Sequence, residues 1–230
     1  MLKLGGQGKT VAIMQRKLSA AGYDCVANGV FDSSTQVALL KFQGDQQLKA
    51  DGLYGDISRA ALDALLCRKW AAHAASQVSN TPLLGVALAD GGRFSPQYST
   101  FSPAARIQFW AQLIISIMKY ESDYDPGNLY LEKFGVYSIG LLQVSYEDQA
   151  NYHLNLNYSA ANHDLEDPQK NMNLGIQIMA QLASRDNCIS GQSDTTWKGL
   201  SAYWSTVRTD PKDVSNYNGI RQRMNALTFP

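Results

Sequence analysis

The sequence is poor in the features that mark several large protein classes. It has only three histidines and three cysteines in 230 residues, and no CxxC or HExxH spacing, so no zinc site is predicted. Its 20 basic and 20 acidic side chains give zero net charge, which argues against a dedicated nucleic-acid binder. Hydrophobic residues make up 45% of the chain and charged residues 17%, an ordinary globular composition that excludes wholesale disorder.

Long hydrophobic runs are also missing. The longest central apolar stretch, 113–118, is interrupted by Ser116 and is far too short to span a bilayer. The first twenty residues show no secretory signal pattern. We therefore expect a protein that is made in the cytoplasm without a signal peptide and that does not insert stably into a membrane.

The three cysteines are Cys25, Cys67 and Cys188, so at least one thiol has no partner within the chain. Spacing permits a Cys25–Cys67 disulfide but does not establish one. A cysteine amidase or peptidase would need one of these thiols as its nucleophile. None of them has a recognisable nucleophile motif or a nearby histidine, which disfavours that class of enzyme.

An internal repeat organises the first 70 residues. The segment 29–35 (GVFDSST) aligns with 52–58 (GLYGDIS), and each copy combines a glycine turn, an apolar–aromatic pair and the start of a helix. Helical spacing of apolar residues predicts an earlier helix over about 10–21, which stops at Gly22. Three short helices that share a small core are therefore predicted, although periodicity alone says nothing about a ligand.

Residues 2–66 resemble the peptidoglycan-binding domain family. The resemblance rests on fixed spacings in several segments, namely 4–5, 15–18, 21–23, 28–31, 42–43 and 51–55. Asp32 departs from the family, which usually has glycine at that position. The resemblance implies a three-helix module that holds an enzyme on the bacterial cell wall.

Composition predicts where this module ends. Residues 1–70 are assigned to the peptidoglycan-binding domain, 71–101 to a helical and irregular linker rich in Ala, Ser and Gly, and 102–230 to a second domain. Because the first segment carries its own repeat and core pattern, we expect it to fold alone. We likewise expect residues 82–230 to retain their chemistry on small soluble fragments.

The second domain opens on a helix whose buried face ends in a carboxylate. Ser102-Pro103 predicts the helix start, and the apolar stripe that follows reaches Glu121 when it is extended from Ile114 or Ile117. Burial and the negative end of the helix dipole both disfavour an ionised carboxylate there, so we predict a raised pKa for Glu121. A protonated carboxylic acid is the general acid that glycoside cleavage needs. The alternative is an exposed glutamate at a fraying helix end.

Residues 103–208 resemble goose-type lysozymes and soluble lytic transglycosylases. Motif order and spacing match in four places, which are Glu121-Ser122, the segment 137–144 (YSIGLLQV), Asp167-Pro168 with Asn171 and Gly175, and Ala202-Tyr203. The resemblance implies a mainly α, lysozyme-like domain with at most a very small β element. It also implies that Glu121 is the catalytic acid and that the substrate-binding residues are Ser138, Gly140, Gln143 and Tyr203. Gly140 has a further explanation, a backbone conformation or close approach that a side chain would block.

One departure concerns the second carboxylate. Ser145 stands where goose-type lysozymes carry an acidic residue proposed to position water, so no second carboxylate is assured. The nearby candidates are Asp123, Asp125, Glu132 and Asp148, and we interpret each as a solvated loop residue or a cap. Asp148 completes a capping-box pattern with Ser145.

Together these features predict a peptidoglycan-degrading endolysin of the muramidase type, which would cut the β-1,4 bond between N-acetylmuramic acid and N-acetylglucosamine. Three alternatives stay open: a lytic transglycosylase that forms 1,6-anhydro ends, a bacterial autolysin or effector, and a wall-binding structural protein without activity. We expect a monomer that needs no metal or cofactor. Its partner would be bacterial peptidoglycan, in the periplasm of a Gram-negative host.

Overall fold

The computed structural model describes residues 1–229, apart from the side chain of Phe134; Pro230, the last residue of the predicted second domain, lies outside the described residues. The chain is mainly α, as predicted. Its helices are α1 (Lys9–Ala21), α2 (Ser33–Asp45), α3 (Asp56–Val78), α4 (Pro103–Ser122), α5 (Asp148–Asn151), α6 (Pro168–Asp186) and α7 (Ser215–Asn225). Two small antiparallel sheets pair β1 (Leu129–Leu131) with β2 (Tyr137–Ile139), and β3 (Gly191–Ser193) with β4 (Thr196–Lys198).

The N-terminal bundle comprises α1, α2 and the first half of α3. Its core is fully buried and includes Leu18, Phe31, Leu39, Phe42 and Leu62. The predicted stop of α1 is confirmed, because Gly22 adopts the left-handed conformation at φ 104° and its N–H bonds back to the last turn. Asp32, the departure from the family pattern, caps α2 by accepting a hydrogen bond from the Thr35 N–H at 2.9 Å.

The two copies of the repeat are structurally equivalent, because each contains a buried glutamine with the same pattern of hydrogen bonds. The Nε2 of Gln15 donates to Asn28, Val30 and Thr35, and its Oε1 accepts from the Gly29 N–H. The second copy repeats this pattern, since Gln43 donates to Asp51, Leu53 and Ser58 and accepts from Gly52. Each glutamine therefore satisfies the polar groups of one glycine turn and closes it against the helix that follows.

Helix α3 extends past residue 70, where the peptidoglycan-binding domain was predicted to end. It runs without a break through residue 70 and packs against α1, α4 and α6. Trp70, Ala74 and Val78 are buried on this helix, and the short 3₁₀ turns of 82–101 bury further apolar side chains such as Phe94. Residues 71–101 are thus helical and irregular, but they form part of the core. The boundary at residue 70 stays a prediction, and α3 is shared by both sides of it.

Helix α4 is the central helix of the second domain. Ser102 caps it by accepting from the Ala105 N–H at 3.1 Å, and Pro103 occupies the first helical position, as predicted. Trp110, Ile114 and Ile117 are fully buried along its length. Within residues 1–229, every helix is either too short or too polar to cross a bilayer.

Candidate active site

Glu121 lies in the last turn of α4 and opens into a cleft of about 460 Å³. The cleft is lined by residues of the β1–β2 hairpin, of the loops around it and of the N-terminal bundle. They are Lys9, Glu121, Asn128, Leu129, Tyr130, Glu132, Ser138, Gln143, Tyr203, Trp204 and Ser205. The cleft therefore has residues from both parts of the chain on its walls, because Lys9 is the first residue of α1.

The electrostatic setting of Glu121 favours its protonated form. Burial is the main cause, and together with the negative charge of Glu132 it raises the pKa of Glu121 to about 7. Thr206 opposes this shift, because its hydroxyl donates to Glu121 Oε1 at 2.6 Å and stabilises the ionised form. The predicted rise of the pKa is confirmed. Thr206 was missed, since no sequence pattern links positions so far apart in the chain.

Ser122 and Asn171, which belong to the family motifs, hold the backbone around the cleft in place by hydrogen bonds. Ser122 Oγ donates to the Leu141 carbonyl at 3.0 Å, which ties the end of α4 to the segment after β2. Asn171 on α6 is fully buried, accepts from the Leu142 N–H at 2.9 Å and donates to the Ile139 carbonyl at 2.8 Å. These bonds fix the backbone of the segment that carries the predicted substrate-binding residues.

Three of the four predicted substrate-binding residues line the cleft with Glu121. Ser138 Oγ donates to Glu132 Oε1 at 2.8 Å, and Gln143 Nε2 donates to the Gly140 carbonyl at 2.8 Å. Tyr203 is the third. Gly140 is buried behind the wall, with φ 72°, and a Cβ there would lie 2.8 Å from the Leu165 carbonyl oxygen. Backbone conformation and close packing therefore account for this glycine, and whether any of the four binds substrate stays a prediction.

Tyr203 is held by a carboxylate behind the cleft. Its hydroxyl donates to Asp148 Oδ2 at 2.5 Å, and Asp148 also accepts from the Ser145 N–H at 2.7 Å. Burial raises the pKa of Tyr203 well above its usual range, and the neighbouring Asp148 and Glu121 carboxylates add to the rise. Tyr203 is thus a neutral phenol whose hydroxyl is bonded to Asp148 and which lines the cleft together with Glu121.

The acidic candidates fall into different environments. Asp148 bonds to the Ser145 N–H as a capping box requires, so its predicted role as a cap is confirmed, and it is buried. The expectation of a solvated loop residue was wrong for Asp125, which is 3% exposed and forms a bidentate ion pair with Arg16. Asp123 is exposed after α4, as expected. Glu132 is exposed too, but among the described residues that line the cleft it is the second carboxylate beside Glu121.

The cysteines offer no activated nucleophile. All three thiols are free, so the Cys25–Cys67 disulfide that spacing permitted is not formed. Cys25 lies beside Thr35, whereas Cys67 contacts Tyr124 of the other domain. Burial raises the pKa of all three thiols, to about 11 for Cys188, which is the opposite of what a nucleophilic cysteine requires. In the part of the chain that the structure describes, no three His, Cys, Asp or Glu side chains cluster as a metal site would need.

The transglycosylase SLT domain model matches residues 99–220, more than half of the sequence. The chain belongs to the transglycosylase SLT family. A model of the peptidoglycan-binding domain matches residues 7–62. This SLT-family chain is therefore a modular, peptidoglycan-degrading enzyme of the glycosidase or lytic transglycosylase type, and peptidoglycan is both its substrate and its binding partner.

Solved structures of DslA resemble this SLT-family chain over 67% of its length and 87% of the DslA chain, with a TM-score of 0.61. The wild-type form is 35% identical, and two forms with a single glutamate-to-glutamine substitution are each 34% identical. A Burkholderia AP3 phage endolysin aligns over 97% of both chains at 16% identity, with a TM-score of 0.27. No curated protein is significantly similar to the chain.

Proposed function

We propose that this enzyme is a muramidase that hydrolyses the β-1,4 bond between N-acetylmuramic acid and N-acetylglucosamine, with Glu121 as its general acid. The observation that carries the proposal is a half-buried carboxylate in an open cleft, whose pKa desolvation raises to about 7. Such a group keeps its proton close to neutral pH and can deliver it to the leaving glycosidic oxygen as positive charge develops on the sugar.

Glu132 is the proposed second carboxylate. It lines the same cleft, is exposed to solvent, and accepts a hydrogen bond from Ser138, so a water molecule beside it has an acceptor for its proton. The two glutamates substituted singly in the DslA structures are eleven residues apart in that protein. Glu121 and Glu132 are also eleven residues apart. This equal spacing supports the pairing of Glu121 and Glu132 as the two working carboxylates.

The family favours a second candidate reaction, lytic transglycosylation. There the 6-hydroxyl of the muramic acid residue attacks its own anomeric carbon, and Glu121 accepts the hydroxyl proton after it has protonated the leaving oxygen. This route needs no water and no second carboxylate, and it leaves a 1,6-anhydro end. The role of Glu132 therefore separates the two reactions.

The remaining cleft residues suit a glycan. Ser138, Gln143 and Tyr203 are the proposed polar contacts to sugar, and the exposed ring of Tyr130 offers an apolar face on which a sugar ring can stack. We propose an endolysin as the biological setting, in which the N-terminal module docks on the wall while the cleft cuts. An autolysin or effector shares the same pairing of modules.

The test uses Glu121→Gln and Glu132→Gln on soluble muropeptides, with product ends identified by mass spectrometry. We expect Glu121→Gln to lose at least about a hundredfold in rate, the low end for a lost general acid. Exposed Glu147 makes no side-chain hydrogen bond or ion pair among the described residues, so Glu147→Gln is the matched control and should match wild type.

The products decide between the reactions. Hydrolysis predicts reducing ends and a strong loss in Glu132→Gln, whereas persistent anhydro ends in Glu132→Gln would favour transglycosylation. A folded Glu121→Gln enzyme with near wild-type activity would overturn the assignment of the acid.

A further inference from the structure

The turn after α4 is conformationally unusual. Asp123 (φ 50°) and Tyr124 (φ 63°) are consecutive non-glycine residues in the left-handed region. Such residues cost about 1–3 kcal/mol each and persist only where the surrounding structure holds them. The turn begins two residues after Glu121 and leads to Asn128, which lines the cleft. The contacts that hold this turn therefore bear on the geometry of the site.

The first of these contacts comes from α1 of the N-terminal bundle. Arg16 Nε and Nη2 donate to the two carboxylate oxygens of Asp125 at 2.7 and 2.6 Å, and Asp125 in turn accepts from the Gly127 N–H at 3.1 Å. Gly127 leaves room for this approach, because a Cβ there would lie 2.6 Å from Arg16 Nε. A paired guanidinium and carboxylate at this burial are strongly coupled, since either one alone would be left uncompensated.

The second contact involves the ring of Tyr124. It is buried against Trp70 of α3, with 6.2 Å between ring centroids, and the ammonium of Lys17 on α1 lies 5.9 Å from the ring centroid. The Tyr124 hydroxyl accepts from Arg223 of α7 at 2.8 Å. Two successive parts of the turn are thus held by contacts from α1, α3 and α7.

Asn128 connects the turn to the cleft by hydrogen bonds. Its Nδ2 donates to the Glu121 carbonyl at 3.3 Å, and its own carbonyl accepts from the Gly140 N–H at 2.8 Å and from Gln143 Nε2 at 3.3 Å. These bonds connect the end of α4 to the opposite segment of the wall. A continuous set of contacts therefore runs from Arg16 to the backbone of Glu121.

We propose that Arg16 is a positioning residue for the cleavage reaction, which acts through Asp125 and the 123–128 turn to hold Glu121 and Asn128 in place. The inference rests on the proposed role of Glu121. It makes the N-terminal bundle part of the catalytic unit, in addition to its role in binding the wall. It also opposes the expectation that residues 82–230 retain their chemistry, because that fragment lacks both Arg16 and α3.

The experiment measures kcat and KM on soluble muropeptides, whose cleavage wall docking does not affect, and sedimentation with purified peptidoglycan. The full-length variants are Arg16→Ala, Arg16→Lys and Asp125→Asn. We expect Arg16→Ala to lower kcat about 10- to 100-fold, as a misplaced catalytic group does, with KM within about threefold and wall binding unchanged. Arg16→Lys should recover part of the loss, because it restores the charge without the bidentate geometry.

Arg68→Ala is the matched control, since Arg68 is exposed on α3 and its side chain makes no hydrogen bond or ion pair in residues 1–229; it should behave as wild type. The double variant of Arg16→Ala and Asp125→Asn should lose no more kcat than the worse single variant.

If circular dichroism shows that Arg16→Ala does not fold, Arg16→Lys and Asp125→Asn carry the test. A folded variant with wild-type kcat, beside an inactive Glu121→Gln, would overturn this inference and leave the proposed function standing. An active Glu121→Gln would overturn the function itself.

Discussion

The two parts of the molecule place left-handed backbone on different residues. In the N-terminal bundle this conformation falls mostly on glycines, which are Gly5, Gly8, Gly22, Gly29 and Gly52, and Gln47 is the exception. In the catalytic domain it falls mostly on residues with side chains, and three of these, Asp123, Tyr124 and Gln143, lie next to Glu121 or line its cleft. The bundle is therefore locally relaxed, whereas the region around Glu121 depends on tertiary contacts to hold strained backbone.

Glu121 also differs from two carboxylates of the bundle. In the bundle, Asp63 pairs with Lys17 at 2.8 Å, and Asp32 caps a helix, which stabilises the charged form of Asp32. In the catalytic domain Glu121 is half-buried beside the Thr206 hydroxyl, and no ion pair to it is found within residues 1–229. A carboxylate left without a cation is costly when ionised, and this cost is what shifts its proton affinity toward neutral pH.

The largest expected effect is on the free energy of unfolding, when one glycine in each part of the molecule is replaced by alanine. Gly140→Ala should lower the free energy of unfolding by roughly 3–5 kcal/mol, because the new Cβ meets the Leu165 carbonyl in a left-handed residue. Gly22→Ala should cost only about 1–2 kcal/mol, since φ is 104° there but no atom is within 4 Å. Urea unfolding measures both. Equal costs would show that backbone conformation alone, without packing, decides the two sites.

A smaller effect on stability is expected when each of two carboxylates, Glu121 and Asp32, is replaced by its amide. The two substitutions should change stability in opposite directions. The pKa of Glu121 is about 7 in the folded chain against 4.5 for a free group, so the folded state keeps a proton that the unfolded state loses as pH rises through this window. Wild-type stability should fall over that window, and Glu121→Gln should be more stable by about 3 kcal/mol at pH 8 but not at pH 4.

Asp32 is the counterpart in the bundle. The hydrogen bond from the Thr35 N–H lowers the pKa of Asp32, so its contribution to stability is present above the unfolded pKa and is lost as pH falls toward the folded value. Asp32→Asn should therefore destabilise the chain at pH 7 and less so in acid. Unfolding curves across pH for both variants test the contrast, and a stabilising effect of the same sign in both would contradict it.

The smallest effect concerns the pH dependence of activity. Thr206→Val removes the hydrogen bond that favours ionised Glu121, while Glu132 and Tyr203 still face the carboxylate, so the pKa of Glu121 should rise above its present value. The alkaline limb of kcat on a soluble substrate should then move to higher pH by up to about one unit, or roughly 1.4 kcal/mol. Thr195→Val, at an exposed position, should leave the limb unchanged. A shift to lower pH would show that Thr206 does not act on the ionised form.

Local features of the sequence determined most of the helices and the position of the acid. The Ser102-Pro103 start, the Gly22 stop and the stripe that ends at Glu121 depend on capping and on helical periodicity, which involve neighbouring residues only. The repeat was visible for the same reason, since each copy places its turn and its helix start at fixed offsets. The raised pKa of Glu121 followed from its place on a buried face.

Only the tertiary structure decided the partners of the site. Thr206 is 85 residues from Glu121, and Arg16 is 109 residues from Asp125. A polar residue in a turn is normally solvated, so Asp125 gave no local sign that another domain would bury it. Desolvation and long-range hydrogen bonding depend on which segments the fold brings together, and that information is spread over the whole packed core rather than carried by the residues that meet.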